Sequence, residues 1–331
     1  MSGFAGGPVL LLVNPTAGRG RGLRLLPRAL GALEDAGFTV QVSVTDSLEQ
    51  ATERARTAPR GSLVAVLGGD GFLGAAAAGA ADSGAVLLPL AGGRGNDTIR
   101  RLGLDLDPAK TIGGINGLAV RALDLGLVNG RAYLGVANVG FDGLANEYGN
   151  SARMNLGPFT YLYGGLKALV LWRNVRFTLT VDGRSSIFPG WFIAVGNVGQ
   201  YGGGLRICPE AKADDGLLDV VSLGRATALG VALTFLRSYR GSHLGQANIG
   251  FTRGSNLTIS ANKPLNIYAD GEMAGPLPAT IRLGPRAVGV LAPADSPAFG
   301  RTGKIGFTPD PVGGNAAMAK AKAGIARLRA L

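Results

Sequence analysis

The sequence has little of several residue types that common functional sites require. Cys208 is the single cysteine and His243 the single histidine among 331 residues. An internal disulfide and a zinc site built from Cys and His ligands are therefore excluded. Aromatic residues make up 6% of the chain, and they do not alternate with basic residues as they would in a single-stranded nucleic-acid platform. We expect a protein of a reducing compartment with no nucleic-acid partner.

Long apolar segments are also absent. The run Val9–Val13 is too short for the core of a signal peptide and has no basic leader before it. Lys167 and Arg173 interrupt the apolar stretch 158–175 before it reaches the length needed to cross a bilayer. These two observations predict a soluble protein without a membrane-spanning helix.

Positive charge is in excess: 33 Lys and Arg stand against 22 Asp and Glu, a formal charge of +11. Such a surplus attracts polyanions, which include nucleic acid, anionic lipid headgroups and phosphorylated small molecules. Part of it lies in the tail 294–331, which has no acidic residue after Asp310. Three states of this tail are open: a helix that packs on the first domain, a basic helix on an anionic membrane, or a disordered end.

Glycine is abundant, with 55 residues, but it follows no Gly-X-Y period, which excludes collagen. Between the glycines, the part up to Asn116 alternates short apolar runs with helical periods, as in βα units around a parallel sheet. Strands are predicted at Val9–Val13, Phe38–Val44, Leu63–Leu67 and Val86–Leu90, with helices through Leu23–Leu33, Leu48–Ala58, the alanines at 75–81 and from Asp97.

The pattern changes near Leu118, because an Asn129-Gly130 pair lies between predicted strands at 120–128 and 131–138. This pair is a strong hairpin signal, and Asp182-Gly183 predicts a second hairpin. Further strands are predicted at Trp191–Val195, Leu217–Leu223, Leu257–Ser260, Leu265–Ala269, Thr280–Leu283 and Ala287–Leu291, with helices at Phe159–Leu171 and Ala226–Tyr239. We therefore expect an α/β nucleotide-binding domain (1–122), an all-β sandwich-like domain (123–293) and a basic tail (294–331).

Three glycine-rich loops follow three of the predicted parallel strands: residues 14–22, 68–71 and 92–97. Glycines let backbone N–H groups approach phosphate closely, and a following helix N-terminus favours an anion. Strand ends on one edge of a parallel sheet converge at the ligand crevice. The loops are thus expected to lie together, although neither the P-loop nor the dinucleotide fingerprint is complete.

Three aspartates in glycine-containing motifs have alternative explanations, and the first, Asp97, could simply be a helix cap. Asp70 could hold Mg²⁺ or a ribose hydroxyl, or it could cap the helix that follows. Asp270, in Asp270-Gly271-Glu272, could be no more than a turn residue after a strand.

These motifs, taken in order, resemble the catalytic domain of the diacylglycerol kinase and sphingosine kinase family, in particular its soluble bacterial lipid kinases. The residues that carry the resemblance are Asn14-Pro15 with Gly18, Gly68-Gly69-Asp70-Gly71, Gly93 to Asp97, Asn138 to Asp142, Asn197, Gly202 to Gly204, Pro209, Asp215 to Asp219 and Asp270-Gly271-Glu272. The resemblance spans residues 8–293.

It implies a phosphofructokinase- or NAD kinase-like first domain, a β-sandwich, and ATP between them. Asp270 would accept the proton of a lipid hydroxyl, with Glu272 assisting. The residues assigned to nucleotide are Asn14, Pro15, Thr16, Gly18, Arg19, Gly68, Gly69, Asp70, Gly71, Gly93, Arg94, Asn96 and Asp97. Asp215 and the carbonyl of Leu217 would hold a structural Mg²⁺, and Asp70 would act through Mg²⁺-ATP.

The implied activity is ATP-dependent phosphorylation of a lipid hydroxyl, on diacylglycerol, a sphingoid base or ceramide. The enzyme would be cytoplasmic and would dock peripherally on anionic phospholipid. Phe72, where the family usually has Thr, and Lys212, near the structural metal, depart from the pattern. An NAD kinase-like small-molecule kinase and a noncatalytic nucleotide or lipid sensor are the alternatives.

Two further features of the sequence have alternative explanations. The apolar stretch Pro158–Trp172 is either core or part of an acyl-chain cleft. No catalytic partner surrounds His243, so a structural or exposed position is expected for it.

Overall fold

The first unit is a six-stranded sheet with helices on both faces. The computed structural model describes residues 7–45, 47–141 and 175–300. The strands of this sheet are β1 (Pro8–Val13), β2 (Thr39–Val44), β3 (Leu63–Gly68), β4 (Val86–Ala91), β5 (Leu118–Leu123) and β18 (Val288–Pro293). Their order in the sheet is β2-β1-β3-β4-β18-β5. The first four strands pair in parallel, as the alternating pattern predicts.

Continuous apolar runs form these strands because both faces of the sheet are covered. Leu11 and Val13 point into the core on one face, whereas Leu12 points into the core on the other. The covering helices are α1 (Arg21–Asp35), α2 (Leu48–Arg56), α3 (Asp70–Ser83), α4 (Asp97–Leu102) and α5 (Pro108–Gly113), followed by a 3₁₀ turn (Ile115–Gly117). The predicted strands and helices of this unit are thus confirmed, with small shifts at their ends.

The chain returns to this sheet near its end, which the predicted division of the chain did not include. Residues 123–293 were expected to form the sandwich, yet β18 lies between β4 and β5. It pairs in parallel with β4 and antiparallel with β5. The physical reason is burial on both faces: Val290 packs in one core of this sheet and Leu291 in the other.

The second unit consists of two six-stranded antiparallel sheets. The strands are β6 (Gly126–Val128), β7 (Arg131–Tyr133), β8 (Val136–Gly140), β9 (Val175–Val181), β10 (Arg184–Gly190), β11 (Phe192–Gly196), β12 (Leu218–Leu223), β13 (Ile249–Gly254), β14 (Asn256–Ala261), β15 (Asn266–Ala269), β16 (Glu272–Pro276) and β17 (Ala279–Leu283). Their orders in the two sheets are β10-β9-β14-β17-β6-β7 and β13-β12-β11-β8-β15-β16. Side chains from both sheets, among them Phe177 and Val195, form one core. This is the expected sandwich.

One helix, α6 (Ala228–Ser238), covers the outer face of the second of these sheets. Its Val231 packs with Phe192 and Val221. The helix predicted at Ala226–Tyr239 is confirmed. Among the described residues, no helix is long and apolar enough to cross a membrane.

The two predicted hairpins are confirmed, and both have positive φ at the two turn residues. Asn129 and Gly130 have φ of 49° and 87°, and Asp182 and Gly183 have 45° and 83°. These values match the type I′ turn that an Asn-Gly or Asp-Gly pair favours. The strands that flank the first turn are shorter than predicted, because 120–128 divides into β5 and β6, and 131–138 into β7 and β8.

The beginning of the basic tail packs against the body of the protein. Phe299 is buried, and the Arg121 guanidinium lies 4.3 Å from the centre of its ring. The Ala213 N–H donates to the Ala298 carbonyl at 2.8 Å. The predicted helix at Phe159–Leu171 and the tail 301–331 lie outside the described residues.

Candidate active site

The three glycine-rich loops lie at the carboxyl ends of β1, β3 and β4 and contact one another. The N–H groups of Gly92 and Gly93 both donate to the Gly68 carbonyl at 2.9 Å. A Cβ on Gly93 would lie 2.6 Å from the Cα of Gly69. The Arg21 guanidinium donates to the Gly93 carbonyl at 3.2 Å. The structure thus brings the loops together, and their close approach requires glycine.

Asn14 shapes the first loop. Its Oδ1 accepts from the Thr16 N–H at 3.0 Å, the Ala17 N–H at 3.2 Å and the Thr16 hydroxyl at 2.9 Å. Gly18 follows with a φ of 56°, and a Cβ there would lie 2.8 Å from the Gly92 carbonyl oxygen. The first loop is therefore held against the third by contacts of its backbone.

Asn96 shapes the third loop in the same way. It is buried with a φ of 50°, and its side chain accepts from the Gly93 N–H at 2.8 Å and donates to the Gly93 carbonyl at 3.0 Å. Arg19 and Arg94 are exposed at the loops, and Pro15 is half-buried. The two arginines therefore place positive charge at the exposed surface of these loops, where an anion can reach it.

Asp70 does not cap its own helix. It is the first residue of α3, and the residue at the N-cap position, Gly69, makes no side-chain cap. Instead, the Asp70 carboxylate accepts from the Asp97 N–H at 3.1 Å and the Thr98 N–H at 2.9 Å, the first two residues of α4. Burial, and then the negative charge of Asp97, raise the pKa of Asp70. This carboxylate joins the second loop to the third.

Asp97 joins the third loop to the β-sandwich. Its buried carboxylate accepts from the N–H groups of Gly203 at 2.8 Å and Gly204 at 2.7 Å, and from Gln200 Nε2 at 3.3 Å. Gly202, Gly203 and Gly204 have φ of 65°, 80° and 120°, values that glycine adopts readily. The glycine triplet thus binds an aspartate of the first unit.

Arg101 makes a second link between the two units, which the sequence analysis did not assign. Its buried guanidinium donates from Nε to the Val198 carbonyl at 3.2 Å. The same group donates from Nη2 to the carbonyls of Pro209 at 3.1 Å and Ala211 at 3.3 Å. Burial lowers the pKa of this group. Only its position one turn after the third loop could have suggested a role.

Asp270 lies in the hairpin turn between β15 and β16, and its carboxylate is turned inward. It has a φ of 49°, followed by 84° at Gly271, so the simple turn explanation describes its backbone correctly. Its side chain accepts from three successive N–H groups, those of Leu134 at 2.8 Å, Gly135 at 2.9 Å and Val136 at 3.2 Å. This use of the backbone explains why the predicted strand 131–138 is broken.

Burial raises the pKa of Asp270 to about 7, and the charge of Asp70 acts in the same direction. The three N–H groups lower it, but they do not outweigh burial. A carboxyl group with such a pKa can take up and release a proton near neutral pH, as a general base must. A carboxyl group with a perturbed pKa that lies beside glycine loops, as Asp270 does, is typical of a catalytic site.

The turn that carries Asp270 faces the start of α3. A Cβ on Gly71 would lie 3.0 Å from Cγ of Glu272, and a Cβ on Gly74 would lie 3.4 Å from Oδ2 of Asp270. Glu272 is exposed. The Gly-Gly-Asp-Gly and Asp-Gly-Glu motifs, far apart in sequence, therefore form two sides of one site.

The candidate metal residues Asp215 and Leu217 lie elsewhere, in the loop before β12. Asp215 is exposed, and its Oδ1 accepts from the Leu217 N–H at 3.0 Å. The neighbouring Asp214 is engaged by the Arg121 guanidinium at 3.5 Å. Asp124, which the sequence analysis did not identify, accepts from the Gly216 N–H at 2.9 Å.

These carboxylates repel one another. Burial raises the pKa of Asp124, and Asp215 and Asp214 add to the effect. In the described part of the chain, no three His, Cys, Asp or Glu side chains group closely enough to hold a metal ion. Two carboxylates with backbone oxygens and water still fit Mg²⁺, which keeps several waters when it binds to proteins. The loop can thus supply part of a hydrated Mg²⁺ site.

The unusual residues in the motifs do not obstruct the loops. Phe72 is buried in the core on one face of the first sheet, beneath Gly68. Lys212 donates to the Pro297 carbonyl at 3.0 Å. His243 is buried and its Nε2 contacts the Ile207 carbonyl at 2.9 Å, while burial lowers its pKa. His243 was expected to be either structural or exposed, and its burial corresponds to the structural position.

Two family models match the two halves of the chain. Residues 8–128 match the diacylglycerol kinase catalytic domain, and residues 135–292 match the YegS C-terminal NAD kinase beta sandwich-like domain. The match to both models extends over the site described above, which confirms the resemblance and the expected fold class.

Similar proteins carry matching names. The chain is 33% identical over 297 residues to a diacylglycerol kinase of Mycobacterium tuberculosis, covering 87% of this chain and 96% of that protein. A diacylglycerol kinase of Bacillus subtilis is 27% identical over 279 residues, covering 81% and 90%. A crystal structure of a diacylglycerol kinase from Bacillus anthracis str. Sterne shares the fold, with a TM-score of 0.64, 23% identity and coverage of 86% and 96%. The chain belongs to the diacylglycerol kinase catalytic-domain family and is a lipid kinase.

Proposed function

We propose that this lipid kinase transfers the γ-phosphate of ATP to the hydroxyl of diacylglycerol. The observation that carries the proposal is the position and pKa of Asp270, about 7, beside the glycine loops of the first unit. Phosphoryl transfer needs positioned phosphates and a group that receives the proton of the nucleophile. Asp270 supplies the second, and the loops supply the first.

The nucleotide phosphates would lie on the loop 14–22 and on Gly68–Gly71. Arg19 and Arg94 are exposed there and carry positive charge. Asn14 and Asn96 keep the loops in shape through hydrogen bonds to backbone groups. Asp70, together with Asp97, fixes the position of the third loop relative to the second, and Asp70 would also act through Mg²⁺-ATP.

Mg²⁺ bound with ATP would neutralise charge on the phosphates. A separate structural Mg²⁺ would be held by Asp215, the carbonyl of Leu217 and Asp124. Burial, and then the negative charges of Asp215 and Asp214, raise the pKa of Asp124. With this ion, Asp215, Leu217 and Asp124 would hold in place the loop that leads into β12.

In the chemical step, the lipid hydroxyl oxygen forms a bond to the γ-phosphorus while the bond to the β,γ-bridging oxygen breaks. ADP leaves with the electron pair of that bond. The hydroxyl proton passes to the Asp270 carboxylate, which the N–H groups of Leu134, Gly135 and Val136 hold in place. Glu272, against Gly71, would assist through a hydrogen bond or metal.

The choice of diacylglycerol rests on the names of the similar proteins. Sphingoid bases and ceramide present comparable hydroxyl groups and are the nearest alternatives. An NAD kinase-like activity is the other alternative, because the second domain resembles the β-sandwich of NAD kinase. The three similar proteins described above are, however, named diacylglycerol kinases. A noncatalytic sensor gains no support from Phe72 or Lys212, since neither side chain fills the space between the loops.

The substrate must be reached at a membrane surface, so we propose peripheral docking of a cytoplasmic enzyme on anionic phospholipid. The basic tail 311–331 is one candidate for this contact. Its removal should weaken sedimentation with anionic vesicles at low salt while activity on detergent-dispersed lipid survives. Loss of folding or of ATP binding on deletion would show that the tail packs on the first unit instead.

A substrate panel tests the proposed function. Purified protein is incubated with Mg²⁺ and ATP labelled on the γ-phosphate, and with diacylglycerol, ceramide, sphingosine or NAD. We expect label to appear on diacylglycerol in preference to the other three. Label on NAD alone would overturn the lipid assignment, and label on ceramide or sphingosine in preference would change the substrate. No transfer to any of them, with ATP bound, would support the sensor.

A further inference from the structure

Helix α6 exposes a row of large apolar side chains. Leu229, Leu233, Leu236 and Tyr239 are 69%, 43%, 66% and 53% exposed. Their spacing of four, three and three residues places them on one face of the helix and its end. The opposite face, with Val231, is buried against the sandwich. Folding of the described chain therefore leaves this apolar face uncovered. Soluble monomeric proteins rarely expose a large contiguous patch of apolar side chains.

The same region carries positive charge without acidic residues in the sequence. Between Asp219 and Asp270 the sequence contains no Asp or Glu. Arg225, Arg237 and Arg240 are exposed beside the apolar row. Within residues 7–45, 47–141 and 175–300, no carboxylate forms an ion pair with any of these three arginines. We call the four apolar residues and these three arginines the α6 surface.

The α6 surface adjoins the candidate active site at one end. A Cβ on Gly204 would lie 4.0 Å from the ring of Tyr239. The Gly204 N–H binds Asp97, whose own N–H binds Asp70. A short path of contacts thus connects the end of α6 with the loops proposed to hold phosphate.

We propose that the α6 surface docks on an anionic bilayer, with its leucines entering the headgroup boundary and its arginines contacting lipid phosphates. This inference rests on the proposed function, because a kinase whose substrate lies in a bilayer must approach it. Apolar side chains flanked by basic ones are the composition that binds such an interface. The charge also selects the occupant: the chain's own basic tail would be repelled by these arginines, whereas anionic lipid is attracted.

A pair of double variants tests the contribution of the leucines. Leu229→Gln with Leu236→Gln removes the two most exposed apolar side chains of the row. Val42→Thr with Val44→Thr, on the edge strand β2, is the matched control, because those side chains are 39% and 47% exposed and lie in the other unit. Binding to vesicles of phosphatidylglycerol and phosphatidylcholine is measured by flotation without ATP. We expect the α6 variant to bind the vesicles about tenfold more weakly than the unaltered protein, and the control variant to bind them as the unaltered protein does.

Charge is tested on the same vesicles. Arg237→Gln with Arg240→Gln should weaken binding to the mixed vesicles several-fold and leave binding to phosphatidylcholine alone unchanged. Salt at about 0.5 M should remove most of the difference between the two kinds of vesicle. Equal binding of the unaltered protein to charged and uncharged vesicles would overturn the role of the arginines.

Three outcomes would overturn the proposal as a whole. One is vesicle binding by the leucine variant equal to that of the unaltered protein. Another is a change of oligomeric state in that variant on light scattering, with vesicle binding unaffected, since a second copy would then be the occupant. A large fall in its melting temperature without loss of vesicle binding would show that another segment of the chain covers the helix.

Catalysis is measured separately so that the two proposals can fail independently. Short-chain diacylglycerol in detergent needs no bilayer, and the leucine variant should phosphorylate it at the normal rate. Suppose that neither the unaltered protein nor any variant phosphorylates a lipid while the vesicle results are as expected. The proposed substrate would then be wrong, and the proposed docking surface would still be supported.

Discussion

Asp70 raises the pKa of Asp270, although the two residues belong to different units of the protein. Asp70 begins α3, and Asp270 occupies the β15–β16 turn that packs over the first turns of that helix. Burial acts more strongly, and together they raise the pKa of Asp270 to about 7. A general base works in its deprotonated form, so catalysis by Asp270 should increase as the pH rises through this value.

The first prediction is a shift of this profile in Asp70→Asn. Removing the negative charge should lower the pKa of Asp270, so the rise in kcat/KM should occur at lower pH than in the unaltered enzyme. The measurement is kcat/KM against pH with diacylglycerol in detergent. Asp82→Asn, an exposed acid at the other end of α3, is the control and should leave the midpoint near 7. The same midpoint in all three proteins would contradict the coupling.

Asp70→Ala should weaken binding of Mg²⁺ with a nonhydrolysable ATP analogue while lipid binding remains. It also leaves the Asp97 and Thr98 N–H groups without their acceptor, which should reduce the free energy of unfolding by roughly 1–3 kcal/mol. Calorimetric titration and denaturant unfolding report the two effects. Unchanged nucleotide affinity together with reduced stability would assign Asp70 to positioning of α4 alone.

Gly93→Ala should disrupt the contact between the second and third loops. A Cβ there would lie 2.6 Å from the Gly69 Cα, and backbone cannot move aside as a side chain can. Nucleotide affinity should fall by tenfold or more, about 1.4 kcal/mol or greater. Gly31→Ala in α1 is the control, because nothing lies within 4 Å of its Cβ. Normal nucleotide affinity in Gly93→Ala would show that the loops do not hold phosphate.

Arg101→Lys should loosen the two units from each other. A lysine ammonium cannot serve the carbonyls of Val198, Pro209 and Ala211 with the fork geometry of a guanidinium. We expect the free energy of unfolding to fall by roughly 1–3 kcal/mol. Arg100→Lys, at an exposed position, should change it little. Equal stability of the two variants would remove Arg101 from this role.

Much of the fold could be predicted from periodicity alone. Strands covered on both faces appear as continuous apolar runs such as Leu63–Leu67, and Asn-Gly or Asp-Gly pairs marked the hairpins. The return of β18 to the first sheet could not be predicted, because pairing between distant segments leaves no local signal. The break between β7 and β8 arises from backbone bonds to Asp270, which likewise depend on distant residues.

The candidate site was predictable in its glycine loops and less so in its connections. Gly68–Gly71 and Gly93–Asp97 follow strand ends, and the convergence of parallel strands places them together. The hydrogen bonds of Asp97 with the glycine triplet, and of Arg101 with three carbonyls, join units that sequence spacing does not relate. Asp124 was missed for the same reason.

The most direct test of the proposed mechanism is the turnover of Asp270→Asn with diacylglycerol in detergent and saturating Mg²⁺-ATP. The amide keeps the size of the carboxylate but cannot take up the hydroxyl proton, so turnover should fall about 10²-fold or more. Nucleotide affinity and the unfolding transition, measured in parallel, should show a folded protein that binds ATP. Glu272→Gln, at the first residue of β16, should reduce turnover less than Asp270→Asn does. Near-normal turnover in Asp270→Asn would contradict the role of Asp270 as the general base, because another group would then have to accept the proton.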